Sequence, residues 1–188
     1  WPWPRQVFAE FLEMLQDQQP SAVVFDILFS DPDVFNKESD SYFNDVVSNM
    51  QNTFFPMLRL SPANDDLSQV TPSMIPGIEP VPGEPQDDKG IALLLPSFTG
   101  SLESGRIGTN NVYPDRDGIV RQYPVYRDHF GWRVPSLPAK VGEVLGWKNP
   151  MEPEVYLNWR GKFGAFRSVR FSDVFEDFLR RDRQRATD

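Results

Sequence analysis

A chain of 188 residues with 39% hydrophobic and 24% charged residues holds enough apolar material for a buried core and lacks the composition that keeps chains unfolded. Its formal net charge of −8 argues against a nucleic-acid partner, which needs a basic patch to displace counterions, and predicts little attraction to an anionic membrane surface. The absence of cysteine excludes disulfides, thiolate metal sites and cysteine nucleophiles, and leaves the compartment open.

The chain opens on Trp1 rather than Met, as an excised or processed piece would. No internal run approaches the ~20 apolar residues of a membrane helix, so any anchor is expected outside this sequence. Trp1-Pro2-Trp3-Pro4 is stiff and non-helical across its Trp-Pro steps. Two readings stand for its tryptophans: a membrane interface, or packing on the domain. Val7, Phe8, Phe11, Leu12 and Leu15 then recur at helical spacing and predict an amphipathic helix over 5–17.

Ser21 to Ser30 is a continuous apolar run broken only by Asp26 and predicts a strand buried on both faces. After Asp31-Pro32-Asp33, Ser39 or Asp40 is positioned to cap a helix carrying Phe43, Val46, Val47 and Met50. Thr53 to Leu60 predicts a second strand, parallel to the first through a right-handed crossover. Residues 61–88, with prolines at 62, 72, 76, 80, 82 and 85, form a long excursion. Its readings are a lid, a partner arm, an insertion or, most simply, a mobile surface loop.

Lys89 to Phe98 predicts a buried strand. Ile107 to Tyr113 and Ile119 to Tyr126 predict a hairpin around Pro114-Asp115-Arg116-Asp117-Gly118, in which Gly118 supplies positive φ. Trp132 to Val134 predicts a short strand, and Ser136 to Leu145 a helix with Pro138 in its first turn and Gly146 at its end. Val155 to Trp159 predicts a strand, Phe163 to Phe166 an extended piece, and Phe171 to Leu179 a helix capped by Ser172, ahead of a solvated 180–185 tail. The fold class is α/β: a single domain over 1–188 with a central mixed β-sheet flanked by helices, a β-hairpin and a Pro-rich loop.

Asp26 lies in the most apolar stretch and must find donors or a cation there. It reads as a ligand carboxylate at a strand end or as an acid that ties loops together. Asp31, Asp33, Asp115 and Asp117 are hard-cation ligand types, but from Asp115 an EF-hand loop would need glycine at Val120 and Glu at Tyr126, so that motif is absent. Asp115 and Asp117 read first as stabilisers of their own turn. Arg121 and Arg160 can hold an anion bidentately or brace loops. Asn110, Asn111 and Asn158 divide in the same way between turn and pocket roles. His129, the single histidine, reads as part of an exposed turn and supports neither zinc nor a triad. There is no phosphate-binding Gly-rich loop, nucleophile elbow or His-Glu-x-x-His, and neither a cofactor nor an enzymatic activity is expected of this fragment.

Ala22-Val23-Val24-Phe25-Asp26-Ile27-Leu28-Phe29-Ser30, Pro114-Asp115-Arg116-Asp117-Gly118-Ile119-Val120-Arg121 and Leu157-Asn158-Trp159-Arg160-Gly161 together resemble the second type of CHASE domain from about Trp1 to Val174. Asp40, Phe43, Gly108, Asn110, Pro124, Pro135 to Leu137, Phe171 and Asp173 also match its pattern. The resemblance implies an extracytoplasmic sensory input domain of a bacterial transmembrane protein, anchored by segments outside this sequence and coupled to a cyclase, histidine kinase or similar output. It further implies an unidentified small-molecule or protein signal, and compatibility with a homodimer. Two departures stand out: the 61–88 stretch is longer than expected, and the chain stops at Asp188 where the family usually adds an apolar strand. The expected pocket lies near Ser30, the 108–121 hairpin and Asn158 to Gly161, with Asp26, Asn110, Asp117, Arg121 and Arg160 as candidate contacts. The competing reading is a protein-interaction module docking through the Pro-rich loop.

Overall fold

The computed structural model describes residues 3–34, 36–161 and 164–185. Helix α1, Arg5–Gln16, follows the non-helical Pro4 and turns Phe8, Ala9 and Leu12 inward. Trp3 packs on the domain, its ring 4.7 Å from that of Phe171. Strand β1, Val23–Val24, is followed by α2, Lys37–Asn49, and by β2, Thr53–Arg59; β1 and β2 are parallel, with Val23 opposite Thr53, as the crossover predicts.

Two details of this unit differ from the sequence reading. The cap of α2 is Asn36, whose Oδ1 accepts the Ser39 N–H at 3.2 Å, because Ser39 and Asp40 are used elsewhere: Ser39 Oγ accepts the Gln6 N–H and Asp40 pairs with Arg5. The 21–30 strand shortens to a two-residue ladder on β2, after which the chain runs on without a partner strand. It is not buried on both faces: Phe25 and Phe29 point into the core while Val24 and Asp26 are exposed.

Strand β2 organises the sheet. Strand β3, Glu79–Pro80, lies apart from it, whereas β4, Leu93–Leu94, runs antiparallel to the end of β2, and β5, Ile107–Thr109, runs parallel to its middle. Pro56 sits in this buried strand without loss of a ladder bond, because its missing N–H falls in the gap between the β1 pairing at Thr53–Phe54 and the β4 pairing at Leu58–Arg59. Only Leu93–Leu94 of the expected 89–98 strand joins the ladder. Helix α3, Thr99–Glu103, is held by Asn44 Oδ1, which accepts the Gly100 N–H at 2.8 Å.

Phenylalanines from five segments fill the core. The Phe25 and Phe55 rings stack at 4.8 Å, and Phe43 and Phe55 meet Phe98 edge-on at 5.0 and 5.1 Å. Arg106 is buried beside them. Its Nε donates to the Thr53 carbonyl at 3.0 Å and its Nη2 to that of Met50, which ties the end of α2 to the start of β2; burial lowers its pKa.

The expected 107–126 hairpin is not formed. Its turn is present, with Gly118 N–H donating to the Asp115 carbonyl at 2.8 Å and Gly118 at φ +80°. Its arms diverge, however: β5 pairs with β2, while β6, Gln122–Pro124, pairs with a later strand. The hairpin of the fold is instead β7, Tyr126–His129, with β8, Trp132–Pro135, turning at Phe130 and Gly131, both with positive φ. His129 is therefore a half-buried strand residue rather than part of an exposed turn, and its Nε2 lies 3.3 Å from the Gly90 carbonyl.

The Pro-rich segment is built into the fold and is not a loose surface loop. It forms 3-10 turns at Pro62–Leu67 and Pro72–Met74, buries Ile75, Ile78 and Val81, and pairs β3 with β8. Helix α4, Leu137–Val144, starts at Ser136 with Pro138 in its first turn, as predicted. Its start presses on β5, so a Cβ on Gly108 would stand 2.5 Å from the Leu137 nitrogen. Strand β9, Glu154–Tyr156, completes the pair with β6. Helix α5 covers Phe171–Arg185, so the expected solvated tail is helical, and Ser172 lies inside the first turn rather than at the cap. Of the extended piece expected at 163–166, Phe163 lies outside the described residues, and Gly164 to Phe166 form a turn and bends.

Candidate functional site

Strands β2 and β5 end side by side at Arg59 and Thr109, and a cavity of about 660 Å³ opens over these carboxyl ends. Such ends suit ligands because loops diverge there and leave a crevice. Ile91, Thr109 and Val134 contribute to its lining, with Leu60 just after β2, Pro62 from the Pro-rich segment, and Tyr113, Arg127 and Phe130 from the later loops and hairpin.

The rigid part of this cleft is a polar frame. Where β5 stops, the side chain of Asn111 continues the ladder: its Oδ1 accepts the Arg59 N–H at 2.8 Å and its Nδ2 donates to the Arg59 carbonyl at 2.9 Å. The Arg59 guanidinium donates to the Leu60 and Ala92 carbonyls and pairs with Asp65 at 2.6 Å. Burial by itself would raise the Asp65 carboxyl, but the Arg59 hydrogen bond and the Ala92 N–H outweigh it and hold the pKa below its ordinary value. All of these groups have partners, so they set the shape of the wall.

Other groups keep donors in reserve. Arg127 makes one contact with Glu154 at 3.0 Å and lies 4.7 Å from the centre of the Tyr113 ring, which leaves most of its fork open. The cleft thus combines apolar walls, aromatic rings at Tyr113 and Phe130, and a guanidinium with spare donors. Its size and lining match the surface of a small amphipathic molecule.

The candidate residues named from the sequence fall into separate groups. Asp26 and Asn110 meet, with Asn110 Nδ2 donating to Asp26 Oδ1 at 2.5 Å, and the Tyr123 hydroxyl donates to Asn110 Oδ1 at 3.2 Å. Burial and the Asp26 charge raise the Tyr123 pKa. Asp26 thus ties β1 to the segments carrying Asn110 and Tyr123 from an exposed position. Arg121 closes on Asp115 and Asp117, both at 2.7 Å, and its hydrogen bond is the main reason the Asp117 carboxyl is held low.

The Leu157 N–H donates to the Arg121 carbonyl at 2.8 Å, which sets the Asn158 to Gly161 stretch beside that turn, with Asn158 and Arg160 exposed. Ser30 belongs to a different corner, where its Oγ donates to Asp31. The carboxylates of the four aspartates weighed as calcium ligands lie in two separate places: Asp31 accepts from the Ser30 hydroxyl and Asp33 from the Asn36 N–H, while Asp115 and Asp117 hold Arg121. Among the described residues no group of three or more His, Asp or Glu is placed to hold a metal. Tyr113, Arg127 and the Arg59–Asp65 pair were not singled out from sequence, because nothing local marks which strand end faces a cavity.

The chain matches the CHASE2 domain family over residues 1–186. It belongs to that family. CHASE2 domains are extracellular sensory domains of signalling proteins and are not themselves catalytic. No curated protein and no solved structure matches the chain. No helix among the described residues is long and apolar enough to cross a membrane.

Proposed function

We propose that this CHASE2 domain is the extracytoplasmic input domain of a bacterial transmembrane signalling protein with a cyclase, histidine kinase or similar output. It is held at the membrane by segments beyond residues 1–188, and it reads a small molecule in the cleft over β2 and β5. The observation that carries the reading is the cavity of about 660 Å³, formed over the ends of two parallel strands and walled by a fully bonded polar frame.

The test is a thermal-shift screen of metals, anions, nucleotides, sugars and amino acids against the wild-type chain and against Tyr113→Ala and Arg127→Ala. Saturation at a hundredfold excess over Kd adds about 2.7 kcal/mol, or roughly 5 to 10 °C in Tm for a domain of this size. The expected result is a shift in the wild type that both variants lose while their unliganded Tm stays unchanged. A shift retained in both variants moves the site out of the cleft, and a flat screen removes the small-molecule reading.

A second reading rests on the Pro-rich segment, where Leu67 and Met74 remain 82% and 66% exposed although its core side is anchored. In that reading the pair docks a protein partner. Because deleting the segment would also remove Ile75, Ile78 and Val81 from the core, the discriminating variants are Leu67→Asp and Met74→Asp: loss of a pulled-down partner with unchanged Tm favours docking.

A further inference from the structure

The segment between β9 and α5 differs in charge from the rest of the molecule. Residues 157–170 include Arg160, Lys162, Arg167 and Arg170 and no acidic residue, within a chain of net charge −8. Every described residue from 158 to 170 is exposed. Trp159 and Phe166 show 68% and 73% of their surface, and Tyr156 just before them shows 78%. Gly161 and Gly164 both adopt φ +86°, and a Cβ on either would meet nothing within 4 Å, so the space beside these two positions is open. Its start is set against the body by the Leu157 N–H, which donates to the Arg121 carbonyl at 2.8 Å, and by Trp159 Nε1, which donates to the Val120 carbonyl at 3.1 Å. Arg170 is partly neutralised by Asp173 at 2.9 Å, whereas the ion pairs of the described residues do not include Arg160 or Arg167.

Exposed aromatic rings interleaved with unpaired arginines, without acids, match the chemistry of a lipid interface. Indole and phenyl rings settle at headgroup depth, and guanidinium groups meet lipid phosphates. The whole-chain charge argues the other way only at long range. At physiological salt the Debye length is about 8 Å, so a surface in contact with this segment senses it and the Asp115–Arg121–Asp117 turn beside it, whose carboxylates are paired with Arg121, more than the distant acids.

We propose that the described residues 156–161 and 164–170 present a docking surface for anionic phospholipid, with Arg160 and Arg167 on the phosphates and Trp159 and Phe166 in the headgroup layer. The complementarity in charge favours lipid over an apolar protein partner. It would orient the sensory domain on the bilayer.

The test is co-sedimentation of the 188-residue chain with vesicles of phosphatidylcholine alone, or of phosphatidylcholine and phosphatidylglycerol in equal parts, together with light scattering of the chain without vesicles. The expected result is binding to the anionic vesicles only, loss of that binding in Arg160→Glu/Arg167→Glu and in molar salt, and a marked weakening in Phe166→Ser. Each basic side chain near an anionic surface contributes on the order of fivefold in affinity, so the double reversal should abolish sedimentation. Unchanged melting curves of the variants verify that they fold. Absence of binding, equal binding to neutral vesicles, or binding indifferent to the reversal overturns the assignment. So does a concentration-dependent dimer that the reversal dissolves, since a second copy would then occupy the loop.

Discussion

Aromatic residues serve opposite purposes in two regions of this molecule. Phe8, Phe25, Phe29, Phe43, Phe55 and Phe98 come from α1, the β1 segment, α2, β2 and the approach to α3, and each is at most 7% exposed. Trp147, Tyr156, Trp159 and Phe166, all after α4, are between 65% and 78% exposed. The difference comes from neighbours rather than residue type. The first set lies on elements that pack against one another, so that its rings meet in one buried cluster. The second set lies outside the core clusters: Tyr156 sits on the two-stranded β6–β9 pair, and Trp147, Trp159 and Phe166 lie on connecting segments.

The largest effect should come from breaking the buried set. Phe43→Ala removes a fully buried ring from the centre of the cluster and should cost about 3 to 5 kcal/mol in a urea titration. A loss near that of a surface mutation would mean that the cluster does not carry the fold. Next, Gly108→Ala pushes a methyl group against the Leu137 backbone, which belongs to α4 and cannot rotate away. Overpacking of this kind should cost about 1 to 3 kcal/mol, and a neutral Tm would place α4 further from β5 than described.

A smaller effect follows from Asp65. Its carboxyl is held below its ordinary value, so its contribution is present above the unfolded pKa and is lost as pH falls through the depressed folded value. Asp65→Asn should therefore destabilise the chain at neutral pH, and the gap from wild type should narrow in acid. Urea unfolding at about pH 7 and about pH 3 measures it; an equal gap at both would mean that shape, not charge, holds the cleft wall. The smallest effect belongs to the exposed set: Phe166→Ser should alter stability by less than about 0.5 kcal/mol. A larger loss would reveal a packing role that its exposure does not suggest.

Helix α1, helix α4 and the parallel β1–β2 crossover were legible because hydrophobic period and proline position are local signals. The 107–126 hairpin was not, although its turn formed as read. Asp115, Asp117 and Gly118 settle their own turn, but whether the arms pair depends on competition from β2 and β9, which lie far away in sequence. The 21–30 run misled for a related reason. Its apolar content suits a strand between two others, yet only β2 flanks it, so Asp26 faces solvent and binds Asn110 without the cost of burial.

The cleft was the least legible part. Arg127 and Tyr113 carry no local signal for their position, and they meet only because β7 and the 110–121 loop converge over the end of β2. Thus the sequence by itself determined the class of the fold, its family and its local turns and helices, because these depend on periodicity, backbone preference and motif order. The tertiary structure alone decided which strands pair, which acids find arginines and where a cavity opens, because those outcomes depend on non-local competition for partners that no window of sequence contains.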